Sequence, residues 1–405
     1  MTQTAGPLQG LRVIELGHFI AAPFAGRVLA DLGAEVIKIE PPEGGDPARR
    51  WGAMKSGRSI WWSVHARNKR SIAVDLKSSE GRDLVLDLVR RADALIENFR
   101  PGQLERWRLG PEVLRQANPD CVIVRISGFG QNGPYRDKPA FGLIAEALGG
   151  IRYLTGYPKD VVDLPPVRVG VSLGDSVSGL YAVIGVLAGV FARQAGRAPT
   201  GAVDVALYES VFSLLEGALP EYGLLGKVRQ PTGSTIATAA PSNSYRAGDG
   251  VWVCIGGNSD RIFERLAALI SQPELVHDPR FCTNDARVAH MTELDAIIGA
   301  WVGRYPADEA ESLLESADVP ACRIYTIADC AGDPHFRARG MIRSILDPAL
   351  GETLHPGIVP RFEGAGEATL CPGPDLGSDT DSILETIAGY DPERVARLRR
   401  DGVIA

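Results

Sequence analysis

Leu11-Arg-Val-Ile-Glu-Leu16, a helical run entered at Pro23 and left at Gly33, and Val36-Ile-Lys-Ile-Glu40 together decide the fold class. The two flanking runs are apolar and β-branched, which suits a buried, pleated strand. Between them, proline just inside the start and glycine just past the end are the usual punctuation of a helix. Strand, helix and strand within about thirty residues make a βαβ crossover, so the strands run parallel. Outward from this unit, Ser71-Ile-Ala-Val-Asp75, Ala94-Leu-Ile-Glu97 and Val122-Ile-Val-Arg-Ile126 supply further strands, with helical segments over residues 80–91 and 111–116. The first part of the chain reads as α/β.

A second organising stretch is Val171-Ser-Leu-Gly-Asp-Ser-Val-Ser-Gly-Leu-Tyr181. A lone acid, Asp175, stands where an apolar strand-like run gives way to an apolar helix that continues to residue 192. Asp favours helix starts because its carboxylate accepts the orphan N–H groups of the first turn, and the helix dipole stabilises its charged form. Most acids in this setting are caps; a catalytic nucleophile is the rarer outcome. Gly174, Ser176, Ser178 and Gly179 leave room for a reactant beside a carboxylate otherwise walled in by Val171, Leu173, Leu180 and Ile184. On the residues alone both roles stay open.

Farther on, Ala202-Val-Asp-Val-Ala206 reads as a strand and residues 208–225 as one long helix. The polar, Pro- and Gly-containing stretch 227–243 marks a boundary. Ser244-Tyr-Arg-Ala, Gly248-Asp-Gly250 and Val251-Trp-Val-Cys-Ile255 suggest a hairpin, and amphipathic helices follow near 261–270 and 293–302. This smaller α+β piece ends near Asp333. After Met341 come a strand-like patch, a Pro/Gly-rich crossing at 372–377 and two terminal helices.

The 405 residues are 45% hydrophobic and 23% charged, the usage of a globular chain with a substantial core. A net charge of -7 argues against a general nucleic-acid binder, which needs a basic face. Residues 1–77 nevertheless hold 11 Lys/Arg against 7 Asp/Glu, so an anionic ligand can be met there. Six scattered cysteines without a C-x-x-C pair, and six histidines without paired spacing, predict reduced thiols and no metal site. Residues 1–10 lack the features of an export signal, and the apolar run 179–192 is too short to span a bilayer. A cytoplasmic protein with a buried helix at 179–192 is expected.

Familiar motifs are incomplete. The turn after the first strand, Gly17-His-Phe-Ile-Ala-Ala-Pro23, lacks the glycines of a nicotinamide site, although Glu40 ends the second strand where a ribose-binding acid belongs. A literal G-x-G-x-x-G at Gly128-Phe-Gly-Gln-Asn-Gly133 follows a later strand and runs into Pro134, which suits a surface turn. No G-x-S-x-G elbow is present.

What the chain does resemble is the class III CoA transferase family, with the related α-methylacyl-CoA racemases. The blocks that carry the resemblance span nearly the whole chain in order: Leu8-Gln-Gly-Leu-Arg-Val-Ile-Glu-Leu16, Asp31-Leu-Gly-Ala-Glu-Val-Ile-Lys-Ile-Glu40, Asn68-Lys-Arg-Ser-Ile-Ala-Val-Asp-Leu-Lys77, Glu97-Asn-Phe-Arg-Pro-Gly102, Gly174-Asp175 with Gly179-Leu-Tyr-Ala182, Asp278-Pro-Arg-Phe281, and Asp333-Pro-His335 with Ala338-Arg-Gly-Met341. The resemblance implies that Asp175 is a nucleophile toward an acyl-CoA thioester, passing through a mixed anhydride and an aspartyl-CoA thioester. Oxyanion donors are expected from N–H groups of Gly256-Gly-Asn258.

The same resemblance implies CoA contacts from His18, Phe19, Ile20 and Ala21 in the first loop. Val74 and Lys77 fall at the adenine and a phosphate, Asn98, Phe99 and Arg100 line the nucleotide pocket, Arg106 meets the pyrophosphate, and Lys138 lies in a further contact segment. Without the resemblance, each basic residue reads as a solvated surface charge, Phe99 as core packing and His18 as a satisfied loop histidine.

Departures from the family pattern narrow the substrate. The formyl-CoA branch has glutamine where this chain has Ile20 and arginine where it has Pro41, so oxalate is a poorer acceptor candidate. The racemases place a histidine and an acid where this chain has Phe141 and Gly142, which leaves proton return without an obvious partner. An acyl-CoA:carboxylate CoA transferase is therefore expected, with succinyl-CoA as donor and a C4 to C6 dicarboxylate or hydroxyacid as acceptor. CoA and acyl-CoA act as substrates, with no tightly bound cofactor, no metal, no nucleic acid and no membrane. Arg49, Arg50 and Arg168 are candidates for the acceptor carboxylate. The resemblance further implies a Rossmann-like large domain built from both termini (1–227 and 333–405), a small α+β domain (228–332) and an interlocked homodimer. An epimerase would instead wash deuterium into the acyl α-carbon, and a non-catalytic CoA-binding protein would bind CoA without exchanging it.

Overall fold

The computed structural model describes residues 6–197, 201–363 and 369–405; residues 1–5 of the segment read for an export signal lie outside them. The described chain forms two compact units. One holds the chain through Arg152 with Val169–Pro220 and Arg337–Ala405, and the other holds Tyr153–Arg168 with Glu221–Phe336. The larger-unit boundaries thus fall at 220 and 337, rather than the 227 and 333 read from the sequence, and residues 153–168 group with the smaller unit.

The larger unit is built on six strands: β1 (Arg12–Glu15), β2 (Glu35–Glu40), β3 (Arg70–Ala73), β4 (Ala94–Glu97), β5 (Val122–Ser127) and β6 (Val203–Ala206). They pair in the order β3-β2-β1-β4-β5-β6, every pair parallel. This is the 3-2-1-4-5-6 order of a doubly wound sheet. Alternation sorts the side chains: Ile14, Ile37, Ile72, Leu95 and Ile123 enter one core, while Val13, Val36, Ala94, Val122 and Val124 enter the other. Helix α1 (Ala21–Asp31) follows β1 and α2 (Ser79–Val89) follows β3. Pro23 sits in the first turn of α1, where its missing N–H is not needed. Gly33, at φ +100°, ends the helix: its N–H reaches Ala30 O, and that of Ala34 reaches Leu29 O, a Schellman closure. The short helices α3 (Gln103–Arg106) and α4 (Gly142–Leu148) precede the 22-residue α5 (Leu173–Gln194).

Three details correct the sequence reading. The run before Asp175 forms no strand, and Val171 there is exposed. Residues 208–225 are not one helix but two, Leu207–Phe212 and Ala218–Leu225. Glu216 turns to φ +51° beside Gly217, and Pro220 fits only the opening turn of the second helix. The central helix is also longer than expected. By length and composition alone α5 could cross a membrane, and only one side of it (Gly174, Ser178, Gly179, Ala182, Val183 and Val186) is buried.

The smaller unit carries an antiparallel sheet of β7 (Ser242–Arg246), β8 (Trp252–Gly256) and β9 (Ala321–Arg323), in the order β9-β8-β7. Its apolar face holds Tyr245, Val253 and Ile255 against α6 (Asp260–Leu269), α7 (Met291–Val302) and α8 (Ala307–Ser316). Back in the larger unit, residues 337–405 add a hairpin of β10 (Ile342–Asp347) and β11 (Gly351–Pro356), and close the open edge of β3. There Val74 bridges to Ile404, and Ala405 N–H donates to Ala73 O.

Candidate active site

In an open α/β sheet, ligands bind beyond the carboxyl ends of the strands where the strand order reverses, here between β1 and β4. The loop after β1 carries His18, Phe19, Ile20 and Ala21; the loop after β4 carries Asn98, Phe99 and Arg100. Asn98 joins them. Its Oδ1 accepts from the His18 N–H at 2.7 Å, and its Nδ2 donates to the His18 carbonyl at 2.9 Å. A side chain on Gly17 would lie 2.6 Å from Asn98 Oδ1, so only glycine lets this clamp close. The His18 ring meets Phe99 edge-on at 5.1 Å, and Phe99 meets Trp107 at 5.0 Å.

Buried charges fix the first loop from below. Lys38 Nζ donates to Gly17 O (2.7 Å) and Glu15 (2.9 Å) and pairs with Asp46 at 2.8 Å. Asp46 Oδ1 in turn accepts the N–H of Phe19, which is held at φ +62°, an uncommon region for a bulky residue. Burial alone would raise the Asp46 carboxyl, but Lys38 and the Ala48 N–H together outweigh it and hold the group at about 2. Burial and the nearby Lys38 charge lower His18, which favours the neutral imidazole at neutral pH. On the second loop, Glu97 accepts from Phe99 N–H at 2.6 Å and from Arg125 at 2.8 Å. Arg125 also grips Glu105 on α3, beside Arg106.

Asp175 lies in the first turn of α5, half-buried. Two glycines define its place. At Gly179 the helix comes so close to α1 that a Cβ would stand 2.9 Å from Ala21 O. Asp175, four residues earlier, is on the same side of α5 one turn nearer the His18–Ala21 loop. At Gly142, the first residue of α4, a Cβ would stand 2.3 Å from Asp175 Oδ2, so the carboxylate occupies the space that a side chain there would take. One turn along α4, the buried Glu146 accepts from the Gly174 N–H at 3.3 Å. The sequence reading had missed Glu146, Lys38 and Asp46. Lys38 carried a signal, a cation inside an otherwise apolar strand; the acid in α4 carried none.

The remaining expected contacts are dispersed. Val74 is wholly buried, its N–H donates to Glu40 O, and it presents no surface to a ligand in this conformation. Lys77 is exposed just past β3, two strands from β1. Arg100 and Arg106 are exposed beyond β4; Arg106 donates to Gln103. Lys138, after β5, stacks 3.4 Å from the Tyr135 ring. One suggestion fails and a second fails in part. Arg49 is no acceptor-binding group, because its Nε and Nη2 hold Glu40 at 2.7 Å, its Nη1 donates to Pro374 O at 3.1 Å, and it stacks on Trp62. Gly256 and Gly257 cannot supply free oxyanion donors in this conformation, since their N–H groups donate to Pro320 O and Pro241 O. Among the described residues no cluster of three or more His, Cys, Asp or Glu could hold a metal.

Residues 8–380 match the sequence model of CoA-transferase family III. The chain belongs to CoA-transferase family III. This transferase is 48% identical over 400 residues to the succinyl-CoA–D-citramalate CoA-transferase of Chloroflexus aurantiacus, covering 98% of each chain. It is 39% identical to the succinyl-CoA–L-malate CoA-transferase alpha subunit of the same organism, covering 98% of this chain and 92% of that one. A CAIB/BAIF family protein from Brucella suis superposes with a TM-score of 0.81 at 34% identity, over 94% of this chain and 99% of that one.

Proposed function

We propose that this CoA-transferase moves CoA from succinyl-CoA to a C4 or C5 hydroxy-dicarboxylate, with Asp175 as the covalent carrier. Relatives that act on D-citramalate and L-malate support the substrate class. The single observation behind the mechanism is the Asp175 carboxylate at the start of α5, filling the vacancy of Gly142 beside the switch-point loop. In the first step Asp175 attacks the thioester carbonyl, CoA leaves as the thiolate, and an acyl-aspartyl anhydride forms. The thiolate then attacks the aspartyl carbonyl, giving aspartyl-CoA and freeing the donor carboxylate. The acceptor carboxylate repeats the sequence in reverse and carries CoA away, so thioester energy is kept throughout. The helix N-terminus favours the ionised nucleophile. An epimerase has less support, because the place for an acid at 142 is already filled by Asp175 itself.

The test is exchange of labelled D-citramalate, L-malate and glutarate against succinyl-CoA. Wild-type protein should exchange at least one of them, and borohydride trapping during turnover should modify the peptide containing Asp175. Undiminished exchange by Asp175→Ala would end the mechanism. A homodimer and a cytoplasmic setting belong to the same proposal, supported by the exposed apolar side of α5 and by six cysteines that stay unbridged.

A further inference from the structure

The sheet of the smaller unit brings together two thiols that the transfer reaction does not use. Cys254 on β8 lies directly opposite Cys322 on β9. The bonds Ile324 N–H to Trp252 O and Gly256 N–H to Pro320 O lie two residues to either side of this pair. Hydrogen-bonded pairs recur every second residue of an antiparallel ladder, so Cys254 and Cys322 form one too, with Cα atoms about 5.5 Å apart. That separation falls inside the range a disulfide spans. Both side chains leave the same face. Val253 and Ile255 point the other way into the core, and both cysteines are exposed. They are unbridged: Cys254 Sγ lies 3.2 Å from Ser244 Oγ, and Cys322 Sγ turns to Arg323 O at 3.1 Å. The Cβ atoms of a hydrogen-bonded pair stand about 5.5 Å apart and a disulfide needs about 4 Å, so closure takes a rotation about each Cα–Cβ bond together with an inward shift of about 1 Å by the short edge strand β9.

We propose that Cys254 and Cys322 are a reversible dithiol–disulfide site, oxidised by small disulfides such as glutathione disulfide. The Cys254 thiolate attacks one sulfur of the oxidant, expels a thiolate and forms a mixed disulfide. Cys322 then loses its proton and attacks Cys254 Sγ, expelling the second thiolate. Two protein thiols and one small disulfide become one protein disulfide and two small thiols. Cys254 is the better attacking group, because burial and the neighbouring Glu311 raise the Cys322 thiol. An exposed bridge of this kind remains open to exchange, which makes it reversible. It also staples the three-residue strand β9 to β8 across a loop that includes α6, α7 and α8, so oxidation restrains the unfolded chain between residues 254 and 322.

Full-length protein incubated with glutathione disulfide, quenched by alkylation and digested without reductant, should yield one peptide pair joined through Cys254 and Cys322. Its mass should be lower by two hydrogens and restored by dithiothreitol, and the oxidised protein should melt several degrees higher. Cys322→Ser should stop at a glutathione adduct on Cys254. Exposed Cys282 is the internal reference for a thiol without a partner. A second measurement does not depend on variants folding: one phenylarsine oxide per chain should protect both cysteines from alkylation, since such arsenicals need two adjacent thiols. Recovery of Cys254 and Cys322 as separate adducts, or alkylation of both after arsenical treatment, overturns the proposal.

Discussion

At residue scale, Gly142 ranks beside Asp175. Because a methyl group there would overlap the carboxylate at 2.3 Å, Gly142→Ala must displace the proposed nucleophile. A misplacement of about 1 Å costs on the order of a hundredfold in rate. The expected result is a comparable fall in kcat with an unchanged far-UV spectrum and CoA affinity; wild-type kcat would show that the carboxylate does not react from this position. A different residue governs acid stability. His355 is buried against Ser63 and close to Asp347, and burial, with Arg67 nearby, lowers its pKa from 6.5 to about 4. The folded chain keeps this imidazole neutral while the unfolded chain protonates it, so its share of stability is present above pH 6.5. That share fades as pH falls toward 4, by at most about 1.4 kcal/mol per pH unit. Urea unfolding at pH 7, 6 and 5 should show a shallower decline for His355→Gln than for wild type. The Ser63, His355 and Asp347 cluster resembles a hydrolytic triad only in composition, since all three side chains are buried from substrate.

At the scale of elements, the switch-point loops depend on one side chain for their joint. Asn98→Ala removes both bonds to His18 and should raise KM for acyl-CoA by about tenfold, the equivalent of one or two lost hydrogen bonds. Its kcat should change less; equal loss in kcat and KM would place Asn98 in the chemistry instead. Much at this scale was legible in the sequence. The βαβ unit, the strands at 94–97 and 122–127 and the hairpin after 242 declare themselves because local alternation and glycine or proline punctuation are properties of neighbouring residues. A helix start near Asp175 was visible for the same reason, although the helix begins at Leu173 and its N-cap is Ser172. What stayed hidden depended on distant meetings. Glu146 reaches Gly174 across 28 residues, Lys38 meets Asp46 through a loop, and Arg49 is taken up by Glu40 from an adjoining strand. Gly256 looked like a free donor until Pro320, far along the chain and just before β9, supplied its acceptor.

At the scale of the whole molecule, α5 leaves Leu180, Ile184 and Phe191 exposed at 47%, 57% and 66%. These fall on one stripe of the helix, an apolar surface that an isolated chain rarely keeps open to water. Sedimentation equilibrium at micromolar concentration should give a dimer, and Ile184→Asp with Phe191→Asp should give a monomer; a monomeric wild type would remove the assembly from the account. The fold class and the family were both readable before any coordinates, because the matching blocks run through the whole chain. The grouping of residues 153–168 with the smaller unit was not, since that segment has no apolar period of its own.

The bridge from Val74 to Ile404 bears on how the protein is made. A ribosome releases β3 early in synthesis, yet the strand's outer edge finds its partners only when Asp379, Thr380 and then residues 403–405 emerge. Through most of translation that edge is an uncovered template for strand addition by other nascent chains.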